Sequence, residues 1–163
     1  MIVTIPAPGI ALAARTAAAV RQAIDVIEAW AAPVLQLAIR LWMARVFFNS
    51  GLTKIQDWDA TLFLFQEEYR VPLLPTSVAA VMGTTFELAM PVLLVVGLAT
   101  RLAALPLIGM SLVIQFVLGA SNPVYDNTEH IYWLFLLLVI AVRGPGAISI
   151  DHLLSRWIGT RRP

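Results

Sequence analysis

Residues Ser77–Arg101, SVAAVMGTTFELAMPVLLVVGLATR, form an apolar run with one ionisable group, Glu87, near its middle. At about 1.5 Å of rise per helical residue, Val78 to Ala99 covers roughly the 30 Å of a bilayer's hydrocarbon core. Glu87 is therefore expected at membrane depth. An unpaired carboxylate there costs at least ~2.5 kcal/mol, so a partner is required. Four residues on, Pro91 lacks an amide and crowds the carbonyl of residue 87, which predicts a kink and a second unmet polar group in the same turn.

The rest of the chain fits that reading. It is 60% hydrophobic and 13% charged, with a mean hydropathy of +0.82, far too apolar for a soluble domain of 163 residues. A net charge of +1, without basic runs interleaved with aromatics, excludes a nucleic-acid partner. There is no cysteine, so disulfides, thiol relays, cysteine-ligated zinc and iron–sulfur clusters are excluded. No metal site is expected. The two histidines, His130 and His152, fall on opposite sides of the membrane in the topology below and cannot share a haem.

Residues 1–9, MIVTIPAPG, read as a disordered lead-in without the basic start of a signal peptide. From Ile10 to Ala31 the pattern is that of an amphipathic helix. Arg15, Arg21, Gln22, Asp25 and Glu28 share one face, and Leu12, Val20, Ile24, Ile27 and Trp30 the other. Such a helix suits the membrane interface or the side of a partner subunit. Pro33 fits the first turn of span one, which runs to about Lys54 and carries Arg40 and Arg45 about 140° apart. Arg40 is placed to snorkel. Residues 56–76 are acidic and aromatic, and Trp58, Leu62, Phe65 and Tyr69 recur at helical spacing, predicting a surface helix capping the bundle. Span two ends at Gly97 and turns tightly into span three, Leu102 to about Leu118. Span four, before Arg143, is only twelve apolar residues unless it starts near Asn127 or runs past the charge. A short amphipathic helix restarts after Gly146.

The expected fold is thus an all-α membrane protein, a four-transmembrane-helix bundle with an N-terminal amphipathic interfacial helix. The divisions are residues 1–32 for tail and interfacial helix, 33–153 for the membrane domain and 154–163 for a basic tail. Arg15, Arg21, Arg101, Arg143, Arg156, Arg161 and Arg162 then share one side with both termini, and only Lys54 and Arg70 lie on the other. Cationic loops stay inside, so both termini are expected to be cytoplasmic.

With Pro33 at the inner edge, Arg45 lies about 18 Å up span one and Glu87 about 15 Å down span two. The two are expected at one depth, as a buried ion pair with Glu87 ionised. Asn49, Thr84 and Gln115 gather about a turn further out, and His130 stands at the external mouth. Such a pocket has three readings: a device fixing helix register, a ligand or quinone site, and a proton path.

RVFFNSGLTK at 45–54, the acidic loop, FELAMPVLLVVGLATRLAAL at 86–105 and RGPGAISIDHL at 143–153 together resemble the DoxX family of small bacterial membrane proteins. The matching positions are Arg45, Gly51, Lys54, Glu87, Gly97, Arg101, Gly144, Gly146, Ser149 and Asp151. Many members have two glycines where this chain has Met90 and Pro91. The resemblance implies a four-helix bundle in the cytoplasmic membrane, and a link to redox chemistry through a related subunit of thiosulfate:quinone oxidoreductase and through oxidative-stress systems. The function expected on this basis is a subunit or accessory of a membrane redox system, possessing no cofactor of its own, facing quinone, and assembled with a protein partner or as a homo-oligomer in the lipid bilayer. A small transporter or a purely structural assembly subunit is the alternative.

Overall fold

The computed structural model describes residues 8–69, 71 and 74–159. The lead-in at residues 1–7, Arg70, Arg161 and Arg162 lie outside them. Helix α1 is Pro8–Gln56, and α2 is Trp58–Phe63, prolonged by a π-helical turn over Leu64–Tyr69. Helix α3 is Thr76–Val96. Helix α4 is Thr100–Ser121, with a π-helical stretch at Val113–Leu118. Helix α5 is Thr128–Arg143 and α6 is Ile150–Gly159. Three of these, Ala14–Gln56 within α1, α3 and α4, are long and apolar enough to cross a membrane. Helix α5 has 16 residues, about 24 Å, which is short of a typical hydrocarbon core.

The buried faces repeat at three- and four-residue intervals. On α1 they are Gln36, Arg40, Met43, Phe47, Gly51 and Lys54, and on α3 Ala80, Thr84, Glu87, Pro91 and Leu94. On α4, Thr100, Ala104, Leu107 and Ser111 continue the pattern. These stripes meet Leu137 and Ile140 of α5 around one core, while large apolar side chains such as Leu102, Phe116 and Phe135 point outward, as lipid contact demands. Gly51 sits where α1 and α3 come closest, since a Cβ there would lie 2.8 Å from Leu88.

One expected boundary is missing. Helix α1 runs 49 residues without a break and carries Pro33 in its interior. A proline deprives a helix of one amide bond, here to Ala29. From Leu12 to Ala31 every described side chain is exposed, so this part of α1 is an arm beyond the bundle and continuous with the first crossing. The expected capping element is present. Helix α2 and its π turn bury Thr61 and Phe65 against Ala79 and Ala80 of α3, and the Thr61 hydroxyl donates to the Lys54 carbonyl at 2.9 Å.

The end of the bundle at the α3–α4 turn is closed by a clasp. Helix α3 stops at Gly97, which adopts φ +70° and donates to the Leu93 carbonyl, an ending that favours glycine. The unpaired Leu94 carbonyl accepts from Arg40 at 3.1 Å, and a second Arg40 nitrogen donates to the Ile148 carbonyl. A cation thus meets the negative end of α3. Asp151 does the converse at the start of α4, its carboxylate accepting from the Ala99 and Thr100 amides at 2.8 and 3.0 Å. The Gln36 side chain donates to the Gly144 carbonyl, and Arg101 to that of Val142. The loop 144–151, which holds Gly144, Gly146, Ser149 and Asp151, thus ties α1, α3 and α4 to α5.

Burial pushes the Asp151 carboxyl up, but the Thr100 and Ala99 amides and the nearby Arg40 outweigh it and hold the group below the usual carboxylate range. Its contribution to stability is present above the unfolded value near ~4 and is lost as pH falls through the folded value. Asp151→Ala is expected to destabilise the detergent-purified protein by about 1–2 kcal/mol, as lost helix caps do. In melts from pH 7 downward, the parent should lose stability below about pH 4 by a margin that Asp151→Asn lacks.

Candidate functional site

Glu87 lies ten residues before Gly97 on α3, about 15 Å along a helix of about 31 Å, and so at its middle. It is 4% exposed. Its partner is Lys54, whose Nζ lies 2.9 and 2.7 Å from the two carboxylate oxygens and 2.9 Å from the Ser50 hydroxyl. The Ser50 hydroxyl also reaches Glu87 Oε1 at 3.3 Å. Side chains on a helix tilt toward its N-terminus, so the stem of Lys54 reaches back along α1 from the end of the bundle into the membrane-depth interior.

The expected Arg45–Glu87 pair is not formed. Arg45 is exposed on the outer face of α1, beside a shallow apolar groove of about 290 Å³ with Leu41, Phe48, Pro91 and Val95. The depth argument failed at its origin. Helix α1 does not begin at Pro33, and the α3–α4 turn that marks the membrane edge lies against Arg40, since a Cβ on Gly97 would come 2.3 Å from its guanidinium. That moves the edge about seven residues along α1 and leaves Arg45 about 8 Å inside it, pointing back toward the edge and within snorkelling reach. Arg40, expected to snorkel, is fully buried instead. Helical phase carried the answer: Arg40, Ala44, Phe47, Gly51 and Lys54 form one stripe, and Arg45 lies about 140° away from it.

Next to the ion pair lies a chamber of about 430 Å³, bordered by Lys54, Glu87, Ser50, Phe65, Tyr69, Phe86, Tyr125, His130 and Trp133, by Val71 and Leu74 ahead of α3, and by small and apolar residues of α3 and α4. Of the expected pocket residues, Glu87 and His130 border it. Asn49 is exposed on α1. Thr84 is buried, and its hydroxyl has no hydrogen-bond partner among the described residues. Gln115 turns its amide away to Asp126, at 2.7 Å. The polar group gathered by depth alone thus separates by helix face.

Tyr69 and Tyr125 both border the chamber. Their rings meet edge to face at 6.0 Å, and Phe65 meets Tyr69 edge to face at 4.9 Å. The Tyr125 hydroxyl donates to Glu68. Burial raises the pKa of Tyr69, with the Glu87 and Glu68 charges adding to it, and burial followed by the Glu68 hydrogen bond raises that of Tyr125. Both phenols are therefore neutral donors at pH 7. His130 Nδ1 lies 3.0 Å from the Tyr125 carbonyl. A carbonyl only accepts, so Nδ1 donates to it, and in the neutral imidazole Nε2 is then the acceptor. Trp133 packs on His130 at 4.9 Å and on Phe47 at 6.1 Å. Tyr69 reads in the sequence as one face of the capping helix, and nothing local in the sequence distinguishes Ser50, Tyr125 and Trp133 from other span and loop residues.

A sequence profile of the DoxX family matches residues 35–120. The chain belongs to the DoxX family. An uncharacterized protein of Haemophilus influenzae is 30% identical over 133 residues, 77% of this chain and 86% of its own length. No solved structure matches the chain. The matched stretch of this chain covers Gly51, Lys54, Glu87 and Gly97 and ends before the 144–151 loop. With its three apolar spanning-length helices, this DoxX protein is a multi-pass membrane protein embedded in a lipid bilayer.

Removing one member of the pair strands the other charge at membrane depth. Lys54→Met and Glu87→Gln are each expected to lower stability by about 3–5 kcal/mol in detergent unfolding assays. The joint variant should recover most of that loss, whereas Arg45→Leu should cost less than about 1 kcal/mol.

Proposed function

We propose that this DoxX protein is an accessory subunit of a membrane redox system that holds the head group of a quinone-type molecule in the chamber beside Lys54. The observation that supports this reading most is the composition of the chamber: one ammonium–carboxylate pair in an otherwise apolar, aromatic-walled space within the bilayer. Lys54 Nζ spans both oxygens of Glu87, so a slight turn toward one oxygen releases an N–H for a ligand carbonyl. Neutral Tyr69 offers a second donor, and His130 Nε2 offers an acceptor for a hydroxyl. A donor beside an acceptor suits both the carbonyl and the hydroxyl form of such a molecule. The chain has no cysteine, so it can hold no cysteine-ligated cluster, and we assign electron transfer to a protein partner.

In this reading α5 completes a four-crossing bundle, with local bilayer thinning making up its short length, and the exposed stripe of Leu12, Val20, Ile24, Ile27 and Trp30 rests on the membrane surface or on the partner. Arg15 and Arg21 of the arm, Arg101 and Arg143 face the cytoplasm of a bacterial inner membrane, with both termini inside. The competing reading is a purely structural pair that fixes the register of α1 on α3, favoured by the saturation of the Lys54 ammonium by Glu87 and Ser50.

Ligand binding separates the two. Short-chain ubiquinone titrated into nanodisc-embedded protein should quench Trp133 fluorescence saturably. The joint variant Lys54→Met/Glu87→Gln should bind at least about tenfold more weakly, the equivalent of one lost hydrogen bond near 1.4 kcal/mol. Non-saturable quenching that is equal in parent and variant supports the structural role instead.

A further inference from the structure

We propose that the chamber is loaded sideways from the bilayer, between α3 and α4 through a window kept open by Gly109, so that its ligand is a membrane-dissolved molecule whose chain stays in the lipid. The inference rests on the chamber being a ligand site, as proposed above, and on three features of its walls.

The wall toward α3 and α4 contains Met82, Phe86, Gly109 and Val113. Met82 is 42% exposed, and a Cβ built on Gly109 meets nothing within 4 Å. Elsewhere glycines on these helices sit against neighbours, as Gly83 does against Phe65, 3.0 Å from its Cβ position. The space at Gly109 is therefore open, and it belongs to the same wall as the chamber.

Its depth identifies what lies outside. Gly109 is nine residues from the start of α4, about 14 Å, and Glu87 is about 15 Å from the same end of α3. The window and the ion pair are level at the middle of the spanning helices, where the surroundings are acyl chains and not water. Helix α4 is also loosened around this point. Pro106 is inside it, and its winding changes to π at Val113, a change that often accompanies functional sites.

Toward the capping segment the chamber is bordered by Tyr69, Val71, Leu74 and Tyr125. Tyr69 and Tyr125 meet edge to face there, and the loop bearing Tyr125 is anchored three times. Tyr125 is tied to Glu68, Asp126 to Gln115, and the Tyr125 carbonyl to His130. This tied cluster contrasts with the open space at Gly109.

A variant retaining Trp133 as its sole tryptophan (Trp30→Phe, Trp42→Phe, Trp58→Phe, Trp157→Phe), reconstituted in phosphatidylcholine vesicles, tests the route. 1-Bromododecane dissolved in the bilayer should quench Trp133 strongly, and aqueous acrylamide weakly. The Cβ that Gly109→Leu adds meets nothing within 4 Å, so the fold should persist by circular dichroism while the longer side chain narrows the window and bromoalkane quenching falls about threefold. Tyr125→Phe, which unties the cluster from Glu68, should raise acrylamide quenching and leave bromoalkane quenching unchanged. Equal bromoalkane quenching with and without Gly109→Leu, or acrylamide as the stronger quencher of the parent, overturns lateral loading. The bromoalkane has no oxygen for Lys54, so failure of quinone binding leaves this result standing.

Discussion

A carboxylate halfway along a membrane-spanning helix must be neutralised from within the protein, and in this chain one ammonium does so. The Lys54–Glu87 contact determines how α1 lies on α3. Lys54 reaches Glu87 only if α1 presents the stripe that also contains Gly51, Phe47 and Arg40, and Gly51 must then sit against Leu88. Once that stripe is turned inward, Arg45 is necessarily outside, and Arg40 necessarily arrives at the last turn of α3. One electrostatic requirement thus sets the rotation, the height and the closeness of the first helix pair.

The second fixed point lies at the other end of the same stripe. Arg40 is as buried as Met43, yet its charge is met by helix geometry: the free carbonyls at the end of α3 and the closing loop accept from it, and Asp151 is nearby. Arg40 and Asp151 place opposite charges on the opposite dipole ends of α3 and α4. The glycines of this region serve the same closure. Gly97, Gly144 and Gly146 all have positive φ, and side chains of Arg40, Arg101 and Gln36 fill the space a Cβ would need. The bundle is pinned at the clasp and at the mid-depth pair, and the space beyond the pair is less tightly filled.

That space becomes the chamber. Aromatic side chains from the capping segment, from the loop after α4 and from α5 converge over it, and aliphatic side chains of α3 and α4 wall its side. The ion pair is at once the device that orders the helices and the polar floor of the cavity. Structural and ligand-binding roles therefore share the same atoms, which is why paired and single substitutions at Lys54 and Glu87 carry different information.

The sequence by itself determined the membrane character, the all-helical class, the place of Glu87 at the middle of a spanning-length helix, the Gly97 turn, the capping element after α1 and the short helix after Gly146. Each is a local property, written in hydropathy, periodicity or turn chemistry. Only the tertiary structure decided which cation meets Glu87, that α1 passes through Pro33 unbroken, and that Asn49, Thr84 and Gln115 leave the site while Ser50, Tyr69, Tyr125 and Trp133 join it. Those outcomes depend on the relative rotation and height of packed helices. A one-residue step turns a side chain by about 100° while changing its depth by only about 1.5 Å, so an argument from depth alone cannot distinguish a partner inside the bundle from a neighbour facing lipid.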